Sequence, residues 1–389
     1  MGHAILSPSG ASRWIACTPS ARLEATKPDT SGVAAREGTL AHALGDLYLR
    51  QELGRVEWVD YQLELARIEA DPLYNEAMAE HMVNYKDFVM NRYHVALQQT
   101  PDALIFIERK LTFYEYVQEG DGTGDAVIIA DGVMDVIDNK YGKGVLVSAH
   151  ENKQMMLYGL GAYDEFSIMY DIHTVRMTIF QPRLDNYSNF EMPAVDLLKW
   201  ANDFLKPQAK KAFAGEGELV PGPHCTFCKV AGECRSNAEY HLELLQHEFK
   251  DPYLLQKFEV SEILKKLPSL AKWVKAVHDT ALAEALKGEK YDDWKLVRGK
   301  SNRAYSDEGL VVAKLNEYGL TELEIFNKKI KGITDLETKL GKSKFASVLD
   351  GLIDKPPGKP TLALLADKRE EFVPGADDFA DVPDEDFED

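Results

Sequence analysis

Apolar residues recur at helical spacing through residues 34–53 (AAREGTLAHALGDLYLRQEL) and again through 74–100, around AMAEHMVNYKDFVMNRY. That is the three-to-four-residue period of a helix with one buried side. The period then changes. LIFIERKLTFY (104–114), AVIIA (126–130) and VMDVID (133–138) are short runs rich in β-branched residues, which predict strands. Asp131-Gly132, between the last two, is a turn pair and predicts a hairpin. ENKQMMLYGLGAYDEF (151–166) returns to helical spacing, HTVRMTIFQPRL (173–184) predicts a fourth strand, and a helix is expected from about Val195 to Phe213. This order predicts an α/β (α+β) class fold, a small mixed sheet flanked by helices.

Residues 215–236 interrupt the pattern with Gly, Pro and three cysteines. From about 253 the texture becomes Lys-rich and helical, broken by the extended stretch DDWKLVRGKSNRAYS and continuing to about 350. PPGKPTLALLADKREEF reads as an extended connection, and the tail from Ala376 is too acidic to fold alone. Three parts are expected: 1–250, a mainly helical 251–372, and an acidic tail at 373–389. With 45% hydrophobic residues the chain can bury a sizeable core. No apolar run approaches the roughly 20 residues needed to span a bilayer. The start, MGHAILSPSGASRW, lacks the blocks of a signal peptide, so a cytoplasmic location is expected.

The net charge of -19 argues against a general nucleic-acid coat protein, which would be basic. However, eight acids and no base fall in the last 13 residues. A local basic groove, with bound metal offsetting carboxylate charge, keeps DNA binding open.

Cys225, Cys228 and Cys234 form a C-x2-C-x5-C cluster in HCTFCKVAGECR. Three thiols within ten residues of a polar loop are poorly placed for core packing, and a cytosolic chain keeps thiols reduced. A metal is therefore expected. A fourth ligand is needed, and Cys17 is the remaining cysteine. If all four bind one centre, the N-terminal segment is stapled across the end of the main domain. The spacing fits an iron–sulfur cluster better than a zinc ribbon, although His224 and His3 keep zinc open.

Asp138-x-Lys140 closes one predicted strand and Asp125 opens the one before it. Carboxylates from adjacent strands can hold one Mg²⁺ or Mn²⁺ while leaving water positions open. A lysine two residues on points the same way as Asp138 and can stabilise charge on a phosphoryl oxygen. The bland alternative is a surface ion pair, common and worth little. His42, among small residues on its helix, could reach such a metal, although taken alone it reads as an ordinary helix histidine. Gln154 and Tyr158 are one helical turn apart and face one way; after the lysine strand they could meet a nucleotide phosphate or base, and alone they read as core-edge residues. Glu108 could also reach the site, but a salt bridge with a neighbouring base is expected instead.

Taken together, these stretches resemble the RecB-like branch of the PD-(D/E)XK nucleases, specifically the iron–sulfur type of CRISPR-associated exonucleases and bacterial helicase–nuclease subunits. The resemblance rests on GTLAH (38–42), GTGDAVII (122–129), VIDNKYGKG (136–144), QMMLY (154–158) and the one-plus-three cysteine pattern. It covers roughly residues 1–245. More narrowly, the chain looks like a family of phage and prophage proteins carrying VIDxKYGKG. The resemblance implies His42, Asp125 and Asp138 as ligands of a catalytic Mg²⁺ or Mn²⁺, with the backbone carbonyl of Asn139 as another. It implies Lys140 as the catalytic lysine and Gln154 and Tyr158 as substrate contacts. A 4Fe-4S cluster on Cys17, Cys225, Cys228 and Cys234 is implied too. The activity it implies is a DNA exonuclease acting on strand ends in phage recombination or replication, within a bacterial host.

Two rival classes remain: a catalytically silent DNA-binding or scaffold protein of the same fold, and a zinc-stapled adaptor working through its acidic tail. YGKG (141–144) is not a P-loop, because G-x-x-x-x-G-K-[ST] is absent. Any helicase must therefore be a partner. Phe379 and Phe387 amid acids resemble the peptides by which single-strand-binding proteins recruit partners. A solubilising tail explains them equally well. A phage single-strand-binding or annealing protein is the other expected partner.

Overall fold

The computed structural model describes residues 4–28, 32–242, 257–292, 294–295, 297, 308–317, 321–326, 332–350 and 352–353. The acidic tail, the 356–372 connection and most of the basic stretch 295–303 lie outside these described residues. The chain divides into two compact units, 1–341 and 342–389. In the second, the described helix is Lys342–Val348. No described helix is long and apolar enough to cross a membrane.

The first unit is built on a five-stranded mixed sheet in the order β1 (Leu104–Thr112), β2 (Asp121–Ile129), β3 (Gly132–Asn139), β4 (Ile172–Gln181) and β5 (Asn186–Pro193). Neighbours are antiparallel except β3 and β4, which run parallel. Parallel neighbours require a crossover, and α6 (Lys153–Phe166) provides it. Alternation along the strands sorts the apolar residues into two layers. Val127, Ile129, Met134, Val136, Val175, Met177 and Ile179 face α6, whose Met155, Met156 and Leu160 are buried with them. Ala126, Ile128, Ile137 and Phe180 face the other layer, α3 (Val33–Glu52) and α5 (Glu76–Gln99), through Leu44, Leu49, Met78, Met82 and Val89. Strands covered on both faces read as unbroken apolar runs, which is how AVIIA appears.

Three differences from the sequence expectation have local causes. β2 starts at Asp121, so Asp125 lies mid-strand rather than opening it. Its first residues, DGTG, pair with Arg109–Thr112 and carry no apolar signal. β5, with the sequence NYSNFEMP, is a polar edge strand of alternating exposure and was not expected; edges favour such residues. The helix from Ala194 to Ala214 is interrupted at Ala201–Leu205 by a wider π-type turn. Pro207 follows that turn, lacks an N–H and crowds the carbonyl four residues back. An unexpected helix, α4 (Trp58–Glu69), has no buried residue.

The N-terminal segment, with α1 (Ala11–Ala16) and α2 (Ser20–Ala25), closes the α6 side. Trp14 is buried there and donates from Nε1 to the Ser7 carbonyl at 3.0 Å. At Gly122, a Cβ would lie 2.6 Å from Pro8 Cγ and 2.8 Å from Tyr158 Cε1, both atoms of rigid rings. Strand propensity alone would favour alanine over glycine here. We expect the reverse: Gly122→Ala lowers stability by about 1–3 kcal/mol through overpacking, read as a lower denaturant midpoint at unchanged m-value.

Candidate active site and cysteine centre

The pairing register sets three acids side by side. Ala126 pairs with Ile137, so Asp125 stands opposite Asp138 one step further along β2 and β3. On the other side, the pairs Ile107–Ala126 and Arg109–Gly124 bracket Glu108 and set it level with Asp125. Asp125 is 8% exposed and Asp138 is 2% exposed. Like charges facing each other across strands destabilise a sheet, and burial raises that cost.

The compensating groups come from the surrounding elements. α3 buries Ala41 and Leu44 against the sheet and brings His42 Nδ1 to 3.2 Å from Asp125 Oδ1. The Asn139 amide donates to Asp125 Oδ2 at 2.7 Å. Lys140 Nζ lies 2.9 Å from Asp138 Oδ2 and donates to Gln154 Oε1 at 3.0 Å. Gln154 Nε2 in turn reaches Asp138 Oδ1 at 3.3 Å and the Tyr158 hydroxyl at 3.1 Å. The Asn152 side chain caps α6 by accepting from the Gln154 and Met155 amides, which fixes Gln154 in the first helical turn. His42, Asp125, Asp138, Lys140, Gln154 and Tyr158 thus converge from four elements. Asn139 enters through its amide, and its side chain is buried with Nδ2 against Met82 Sδ at 3.3 Å.

Glu108 is the residue the sequence reading set aside, and the expected salt bridge is corrected. The neighbouring bases are taken: Arg109 pairs with Glu165, and Lys110 with Asp121 at 3.0 Å. Glu108 instead adopts a left-handed backbone (φ 48) in mid-strand, a conformation rare outside glycine and often found at functional sites. Its carboxylate joins His42 and Asp125, with one ligand atom from each within 4.8 Å of the others. The signal that reveals it is strand register, which the eight-residue connection between β1 and β2 hides from sequence.

The charges act on one another. Burial, the largest influence on His42, pulls its pKa down; the Asp125 carboxylate, by charge and hydrogen bond, overrides it and lifts the pKa to about 9. Glu108 is pushed up to about 7 by burial and then by Asp125, with His42 opposing. Burial also raises Asp138 against the pull of Lys140. Burial works against the Lys140 ammonium, but Asp138 holds its pKa above the ordinary value. A divalent cation is the group that three converging carboxylates and an imidazole suit. Neighbouring ligands on one octahedral ion with bonds of about 2.1 Å lie about 3.0 Å apart, a separation His42 and Asp125 already approach at 3.2 Å.

At the far end of the α6 layer, Cys17, Cys225, Cys228 and Cys234 line one small cavity together with His224 and Arg13. All four are free thiols. Burial pushes Cys228 up to about 12 and raises Cys225 as well. Burial there disfavours the thiolate, and a bound cation would favour it. His224 hydrogen-bonds both the Cys17 thiol and, at 2.8 Å, the Val220 carbonyl. His3 lies outside the described residues. Glu24 ties the two chain segments together, pairing with Arg13 at 3.0 Å and accepting from the Lys229 amide at 2.9 Å. Lys27 meets Glu233 at 2.6 Å.

Among solved structures, the chain is similar to the crystal structure of SSO0001. The identity is 14% over 50% of this chain and 85% of that one, and the TM-score is 0.22, too low to carry an argument. Residues 3–370 match the model of a family described as a protein of unknown function, DUF2800, and the chain belongs to that family.

Proposed function

We propose that the protein is a Mg²⁺- or Mn²⁺-dependent deoxyribonuclease of the RecB-like PD-(D/E)XK type, acting as an exonuclease on DNA ends in a bacterial cytoplasm. The observation that carries this reading is the convergence of His42, Glu108 and Asp125, with Asp138 opposite Asp125 on the next strand and Lys140 beside it. Carboxylates crowded in this way cost stability unless a cation joins them. His42, Asp125 and Glu108 would hold it, with Asp138 and the Asn139 carbonyl completing the site. Such an ion supplies Lewis-acid stabilisation of a phosphate and acidifies water beside it. Lys140, held between Asp138 and Gln154, orients the attacking water and offsets charge on a non-bridging phosphate oxygen as the phosphodiester opens. Gln154 and Tyr158, joined at 3.1 Å, present an amide and a hydroxyl to the bound strand. No covalent enzyme intermediate is needed. The order of the motifs in the sequence supports the same reading.

We further propose that the four thiols hold a 4Fe-4S cluster with a structural role, zinc being the lesser alternative. Arg13, Glu24, Lys27 and Glu233 already bring the N-terminal segment to the cysteine loop, and a cluster would lock that joint.

Three outcomes test these proposals. Asp125→Ala, Asp138→Ala and Lys140→Ala should each lower cleavage of end-labelled DNA by at least about 100-fold, with thermal melts showing a folded chain. A folded Asp138→Ala variant of full activity would sink the site.

Metal affinity should rise with pH, because His42 must lose its proton to ligate. With His42 near 9 and Glu108 near 7, log affinity for Mn²⁺ should climb by about one per pH unit between pH 7 and 9, and more steeply below 7. Glu108→Gln should weaken that affinity at least about tenfold and remove the steeper limb. Calorimetric titration reads both, and a flat profile would contradict them.

Cys17→Ala should empty the cysteine centre, and the loss of a structural metal should cost more than about 4 kcal/mol. Iron, sulfide and zinc analysis of anaerobically purified protein, with a thermal melt, checks this. Retention of metal and melting point would remove Cys17 from the centre.

A further inference from the structure

The connection from β3 to α6 is not accounted for by the proposed chemistry. It leaves at Lys140 and returns at Gln154, whose side chains meet at 3.0 Å. It is therefore a loop with a closed base, strung between two residues of the candidate site. Gln181, 1% exposed, holds it from beneath. Its Nε2 donates to the Gly142 and Val145 carbonyls at 2.9 and 2.8 Å. Its Oε1 accepts from the Val147 amide and from Asn186 Nδ2, each at 3.1 Å. Both donors and both lone pairs of one buried amide are committed to the loop and its anchor, and a fully satisfied buried network rigidifies what it holds. Asn186 Nδ2 also donates to the Val147 carbonyl at 2.8 Å, and the Ala149 amide to Ser188 Oγ at 2.9 Å.

This well-anchored loop presents its tip to solvent. Val145 is 49% exposed and Leu146 is 68% exposed. Lys143, also exposed, stands between Gly142 and Gly144. A Cβ at either glycine would meet nothing within 4 Å, and neither has a positive φ. Neither the packing nor the backbone conformation of this protein calls for glycine there. What bare backbone does allow is close approach by another molecule. The tip therefore combines an ammonium, accessible amides and two apolar side chains in a fixed frame. A nucleotide has the complementary parts: a phosphate for the lysine and amides, and a base face for the apolar pair.

We propose that the Gly142–Leu146 tip is a second nucleic-acid contact, in which Lys143 and the bare backbone hold a phosphate and Val145 and Leu146 pack on the adjoining base. The proposal rests on the nuclease reading for its occupant. The six residue steps from Lys140 to Leu146 span at most about 21 Å. At roughly 3.4 Å per nucleotide in a duplex strand, the contacted nucleotide lies within about six of the phosphate held at Lys140.

The test uses the full chain, a labelled single-stranded oligonucleotide, and Ca²⁺ in place of Mg²⁺ so that binding is read at several KCl concentrations. Lys143→Ala should weaken binding several-fold and reduce the slope of log affinity against log salt by about 0.7, the loss of one phosphate contact on a single strand. Val145→Ser with Leu146→Ser should weaken binding about fivefold or more while leaving the slope unchanged, since no charge is lost. These side chains are at an exposed tip, and melts of both variants should match the parent. If both variants bind with parental affinity and slope while the parent cleaves DNA in Mg²⁺ or Mn²⁺, the loop assignment fails alone. If the parent binds but never cleaves, the nuclease reading fails and the slopes still decide the loop. A parent that binds no DNA overturns both.

Discussion

The central constraint is the repulsion among Glu108, Asp125 and Asp138, set level across three strands by the sheet register. Nothing in the core requires acids there, since the same strands bury Val127, Ile129, Met134 and Val136 a few residues away. Placing carboxylates at this level lowers stability, and the surrounding elements are arranged to contain the cost. His42 from α3 answers Asp125, Lys140 answers Asp138, and the Asn139 amide neutralises one oxygen of Asp125. The pKa of Glu108 is raised by burial and by Asp125, with His42 opposing both.

How legible this was in the sequence depended on whether each signal was local. Asp138-x-Lys140 could be read because the two residues share a strand, and period-two geometry alone puts them on one face. Gln154 and Tyr158 were legible for the corresponding helical reason. The meeting of Cys225, Cys228 and Cys234 in one cavity was legible because they lie within ten residues of one loop. Glu108 was not: its role depends on which residue of β2 lies opposite it, a fact settled by a long β1–β2 connection rather than a tight hairpin. β5 escaped because an edge strand with one solvated face has no apolar run to display, and the early start of β2 escaped because DGTG has no apolar residue to display. The two-layer core was the plainest part, since the apolar runs of β2 and β3 and the one-sided helices α3, α5 and α6 carry it redundantly.

The candidate site and the cysteine centre lie far apart in sequence, yet one short segment touches both. Residues 5–27 carry Cys17 into the thiol cavity and hold Glu24 against the cysteine loop. The same segment sets the Pro8 ring against Gly122, where Tyr158 also packs. Trp14 and Leu6, buried between these ends, make the segment part of the α6-side core rather than a loose strap. Anything that fixes Cys17 therefore also fixes the wall against which Tyr158 rests. The N-terminal segment thus links the thiol cavity to the Gln154–Tyr158 edge of the site. The close fit at Gly122 explains why that coupling is stiff, because two rings meet a residue with no side chain to yield.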